Sequence, residues 1–188
     1  QPAAPRSWPI RAAVGVIMTQ LLRGIHFMFV LFLTFLVFPS LKRFRHRVLW
    51  YDYVLSLLGV ATIVYIFVDF EEFIYRSVTP TYLDLFFGGL LILLVLEATR
   101  RTTSWILPTV VGSFLVYAFI GPWLPSPWTH RGYGLDRLVG HMYMTLEGIF
   151  GVPVDVSSTF IILFTIYGAF LEYSGAGKFF IDFSLCAM

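Results

Sequence analysis

Long apolar runs separated by short polar links set the pattern of this chain. Crossing about 30 Å of hydrocarbon takes roughly 20 helical residues. Five runs approach that length, at 22–41, 51–70, 81–99, 103–120 and 156–173. None alternates between apolar and polar positions, so strands of a transmembrane barrel are excluded. Helices satisfy every backbone group within their own segment. The pattern predicts an all-α integral membrane protein with about five transmembrane helices.

Residues 135–150 differ in kind. Leu135, Leu138, Val139, Met142, Leu146, Ile149 and Phe150 recur at helical spacing, while Asp136, Arg137, His141, Thr145 and Glu147 take the other face. The segment is too short and too polar to span. It predicts one amphipathic helix lying along the interface or against protein. Gly151 and Pro153 then interrupt the helix, and Asp155 and Ser157 are candidate N-caps of the fifth span. Alternatively, the positive end of that span serves an anionic ligand, with Asp155 beside it.

Composition narrows the class further. Over 188 residues, 58% are hydrophobic, 19% aromatic and only 13% charged, with a mean hydropathy of +0.80. Soluble domains carry about 25% charged residues and bury only about 70% of their surface at this length. A soluble domain, a disordered chain and a disulfide-stapled module are all excluded, the last because Cys186 is the one cysteine.

Charge gives an orientation. The first link carries Lys42, Arg43, Arg45 and Arg47, the third carries Arg100 and Arg101, and the second carries Asp69, Glu71, Glu72 and Arg76. Basic links lie on the cytoplasmic side, so the first and third are expected there, in contact with lipid headgroups. A basic run between two spans reads as a topology signal rather than a nucleic-acid site. Trp50, Tyr51, Tyr53, Trp105, Trp123 and Trp128 fall where spans meet water, as interfacial aromatics do. This orientation places Gln1 on the far side, and 178–188 ends within an apolar helical pattern. Both features suggest a piece of a longer protein.

Chemistry-bearing residues are few. Asp52 is expected to cap the second helix, and Glu97 and Arg101 to form an exposed pair four residues apart. Glu172 and Lys178, with Asp182, flank the break Ser174–Gly177. That break is either a short hydrated turn or a discontinuous helix of the kind transporters use at ion and substrate sites. Asp155, Glu172 and Lys178 are therefore the candidate substrate- or ion-binding residues. His26, His46, His130 and His141 lack metal-ligand spacing. No nucleophile elbow and no Gly-Lys-Ser/Thr phosphate loop occurs. An enzyme is not expected, nor is a cofactor.

The stretches WYDY (50–53), LEATRR (96–101), HRGYGLDRLVGHMYMTLEGIFGVPVDVSSTF (130–160) and GAFLEYSGAGKFFIDF (168–183) resemble the fused membrane subunits of TRAP (tripartite ATP-independent periplasmic) transporters. The likeness is greatest to the branch served by TAXI-type solute-binding proteins. The resemblance covers about residues 26–188. It implies that residues 1–121 correspond to the small four-helix subunit, with its first helix missing. Residues 122–188 would then open the large permease subunit, with an interfacial helix at 135–150, a span at 156–173 and a truncated helix from about 178. It further implies sodium-coupled import of C4-dicarboxylates or related small carboxylates by an elevator motion. The small subunit would brace the static part, in a bacterial or archaeal inner membrane, with a periplasmic binding protein as partner. The alternative is a structural scaffold or assembly module without its own transport site.

Overall fold

The computed structural model describes residues 8–39, 49–68, 73 and 80–187. The basic residues Lys42, Arg43, Arg45 and Arg47 and the second-link residues Asp69, Glu71, Glu72 and Arg76 lie outside them. The described elements are helical: α1 (Trp8–Val37), α2 (Trp50–Val68), α3 (Tyr82–Thr102), α4 (Ile106–Ile120), α5 (Leu135–Met144), α6 (Val152–Tyr173) and α7 (Ala176–Ala187). Among the described residues, five helices are long and apolar enough to cross a membrane. The all-α membrane architecture read from the sequence is the one observed.

Helix α1 packs on α2, α2 on α3, and α5 covers α3 from the side. Leu31, Phe35, Ile63, Ile66, Leu91 and Leu94 fill the space between the three spans. Lipid tails are as apolar as leucine, so close packing and hydrogen bonds must hold such helices together. Gly24 of α1 provides one close approach, since a β-carbon there would lie 2.8 Å from Phe67 Cζ of α2.

By contrast, α4 and α6 stand at the margin. Only 6% of the most apolar stretch of each is buried, against 33% for α2. Helix α4 leans on α3, and α6 meets α1 through Val152–Ile161.

Three element boundaries differ from the pattern. The apolar run begins at 22, but α1 starts at Trp8, because hydropathy marks the stretch that crosses hydrocarbon and not the whole helix. Helix α5 stops at Met144 rather than at 150. There the chain folds back, with Ile149 N–H donating to the Met142 carbonyl at 2.9 Å. Leu146 and Ile149 still reach the core, and Phe150 is buried within it, from a turn instead of a helix. Helix α6 begins at Val152 with Gly151 as N-cap, so neither Asp155 nor Ser157 caps it.

Helix α5 is amphipathic as the spacing predicts. Val139, Gly140, Tyr143 and Met144 form its buried face. A β-carbon on Gly88 of α3 would collide with Val139 Cγ1, so only glycine lets α5 approach this closely. The Tyr143 hydroxyl donates to the Thr62 carbonyl oxygen of α2 at 2.5 Å, and its ring meets Phe73 edge-on at 5.3 Å. Burial pushes the Tyr143 hydroxyl pKa up, with Tyr65 and Asp84 adding to the shift. It therefore stays a donor at physiological pH.

Candidate functional site

The polar contacts gather at three places in this apolar bundle. The first is the junction of α1 with the start of α6. Arg23 Nε donates to Asp155 Oδ1 at 3.0 Å, and Arg23 Nη1 donates to the Phe150 carbonyl at 2.9 Å. One turn along α1, His26 Nε2 lies 2.9 Å from Ser157 Oγ. Ser157 opens the wide, π-type turn of α6 at Ser157–Ile161, and Asp155 lies two residues before it. Such turns shift the register of the side chains that follow and are common at functional positions. Phe27 of α1 and Phe150 meet edge-on at 5.6 Å.

The second cluster lies at the opposite ends of the core helices. Asp52 accepts from Leu49 N–H at 3.2 Å, as a helix-start carboxylate should. Its other oxygen accepts from Arg101 Nη1 at 2.7 Å. Glu97 accepts from Arg101 Nε at 2.8 Å and from Arg100 Nη2 and Nε at 2.6 and 2.7 Å. The pair of Glu97 and Arg101 is thus not an exposed helix-face contact, because only 1% of the Arg101 side chain is accessible. The guanidinium also lies 5.0 Å from the Phe35 ring, and it reaches the Phe38 carbonyl at 3.2 Å. It ties together the ends of all three core spans.

Asp84 forms the third cluster in the first turn of α3. Fully buried, it accepts from Thr81 N–H at 2.8 Å and from the Tyr65 hydroxyl at 2.7 Å. Tyr65 in turn stacks on Phe87 at 4.5 Å.

Asp155 is therefore held by Arg23, whereas Glu172 and Lys178 are exposed on either side of the turn between α6 and α7. A rise of 1.5 Å per residue puts about 25 Å between Asp155 and Glu172 along α6. One small ligand cannot touch both. Among the described residues, no three of His, Cys, Asp and Glu converge as metal ligands would. Arg23, Asp52 and Asp84 escaped the sequence reading as partners, because the residues they meet come from other helices. The one available signal was that a charge inside an apolar span needs a nearby counter-charge.

A family model described as the tripartite ATP-independent periplasmic transporter, DctM component, matches residues 90–187, just over half of the chain. The chain belongs to this TRAP transporter permease family. The match opens inside α3 and runs through α4, α5, α6 and α7. It includes Glu97, Arg101 and Asp155, while their partners Asp52 and Arg23 lie upstream of it. No curated protein and no solved structure matches the chain. As a member of a transporter family it is a multi-pass membrane component and not an enzyme.

Proposed function

We propose that the protein is the membrane permease of a sodium-coupled TRAP system that imports C4-dicarboxylates or related small carboxylates. A periplasmic solute-binding protein of the TAXI type delivers the substrate at the inner membrane of a bacterium or archaeon. The family match carries this reading. The motifs at 130–160 and 168–183 favour the TAXI branch.

Within that system, residues up to about 121 act as a small-subunit-like brace and 122–188 as the opening of the large subunit. The packing supports a static role for the described helices. The α1–α3 core is joined by a buried ion-pair cluster, and α5 is seated against it through Gly88 and Tyr143. Arg23 fastens the start of α6 to the same core. Asp155, Glu172 and Lys178 remain the candidate ion- or substrate-facing groups, with Glu172 and Lys178 best placed because both are exposed.

Proteoliposomes holding the full-length permease test the proposal. With the binding protein outside and an inward sodium gradient, they should accumulate a labelled C4-dicarboxylate. Omitting either the gradient or the binding protein should abolish uptake. Equal uptake in potassium, or uptake independent of the binding protein, would refute sodium coupling or the tripartite arrangement respectively. The scaffold alternative gains if no carboxylate is moved under any condition.

A further inference from the structure

We propose that the groove between α4 and α5 binds an anionic phospholipid. Arg137 and His141 hold its phosphate, and Ala118, Leu138 and Met142 receive the start of an acyl chain. The groove encloses about 350 Å³ and is lined by these five residues and Tyr133. Arg137 and His141 are four apart on α5, so they share one face. Val139 and Tyr143, which pack on α3, occupy another.

Charge marks this groove: Arg131 and Lys178 are also exposed without an ion pair among the described residues, but neither lines it. Arg23, Arg100 and Arg101 are each held by a carboxylate of the protein. Among the described residues, the Arg137 guanidinium and the His141 ring have no such partner, and both side chains are exposed. The nearest acid in sequence, Asp136, sets its Oδ1 against Gly134 at the start of α5. A cation over a carbon-lined groove matches an anionic head with an apolar tail.

The setting supplies the lipid. Helix α4 is apolar along its length, and little of it is covered by protein. Ala118 lies in its last turn, next to the 3₁₀ turn Gly121–Trp123, where span gives way to loop. Headgroup phosphates sit at that depth. Tyr133 at the mouth has the amphipathic ring such a boundary favours. A free phosphate ion would satisfy Arg137 and leave the apolar walls wet.

The test reconstitutes the full-length permease in phosphatidylcholine bilayers doped with phosphatidylglycerol that carries a photoactivatable acyl chain. Cross-linked peptides are then mapped by mass spectrometry. Labelling should concentrate on the peptides holding Ala118 and 138–142. Excess unlabelled phosphatidylglycerol should compete, and inorganic phosphate should not. Arg137→Gln should lower that labelling about five-fold, since one basic group near a membrane surface contributes about that factor. Arg137→Lys should restore most of it, and Arg131→Gln, a change outside the groove, should leave it unchanged. Three results would overturn the proposal: labelling spread evenly along α4, labelling insensitive to Arg137→Gln with Arg137→Lys as folding control, or equal competition by inorganic phosphate. Absence of label at these peptides, which would mean that protein fills the groove, would overturn it as well.

Discussion

Arg101 of α3 and Asp52 of α2 meet at 2.7 Å with 1% and 0% of their side chains accessible, a charged pair enclosed at the ends of apolar spans. Losing one partner of such a pair costs about 3–5 kcal/mol where the other charge is left alone, but Arg101 also donates to Glu97 at 2.8 Å. Asp52→Asn should therefore lower the stability of the detergent-purified permease by the smaller amount of about 1–3 kcal/mol in denaturant or thermal unfolding, because Arg101 keeps Glu97. Replacing both residues together, Asp52→Leu with Arg101→Met, should recover most of the loss, because no unpaired charge remains. A double variant less stable than Asp52→Asn alone would contradict the assignment.

The seating of α5 gives a second expectation. Gly88→Ala drives a β-carbon into Val139 and Tyr143, and overpacking of this kind costs about 1–3 kcal/mol. Tyr143→Phe removes only the hydroxyl bond to the Thr62 carbonyl, for about 0.5–1.5 kcal/mol. Hydrogen exchange should show faster opening of 135–144 in Gly88→Ala than in Tyr143→Phe. The reverse order would mean that the hydroxyl bond, rather than the close approach at Gly88, positions this helix.

At the α1–α6 junction the pair is partly wet, with 12% of Arg23 and 38% of Asp155 accessible. Exposed pairs couple by about 0.2–1 kcal/mol, so a double-mutant cycle of Arg23→Ala and Asp155→Ala should return a coupling in that range. Arg23→Lys keeps the charge but replaces the planar fork, whose Nε and Nη1 serve Asp155 and the Phe150 carbonyl, with a single point-like ammonium group. Its stability should fall between wild type and Arg23→Ala.

Orientation is open to labelling. Ser126 in the long loop and Ser104 between α3 and α4 are both exposed. In intact cells, a cysteine at Ser126 should react with a membrane-impermeant maleimide, and one at Ser104 should react only after lysis. The opposite pattern would invert the topology derived from the basic links.

The spans were legible because hydrocarbon thickness demands long apolar runs, and α5 because its apolar residues recur at helical spacing. The clusters were not. Asp52 read as a helix-start residue, which it is, but its second oxygen reaches Arg101 on another helix. Asp155 read as a cap, yet Gly151 and Pro153 start the helix earlier and leave its carboxylate for Arg23. Nothing local to Asp155 identifies a partner 132 positions away. The end of α5 was overextended because Leu146, Ile149 and Phe150 keep a helical spacing while they pack from a folded-back turn. The family resemblance was legible in long motifs, and its core lies within the matched residues 90–187.

We propose that the described helices form one static brace, with the start of α6 fixed to α1. Cysteines in place of His26 and Ser157, whose side chains now touch at 2.9 Å, can be joined by a short, reducible thiol cross-linker in the full-length permease. Sodium-driven, binding-protein-dependent uptake should be as fast after cross-linking as before it. Uptake that falls to background on cross-linking and returns when the linker is reduced would show that α1 and α6 move apart during transport, and would contradict a static brace.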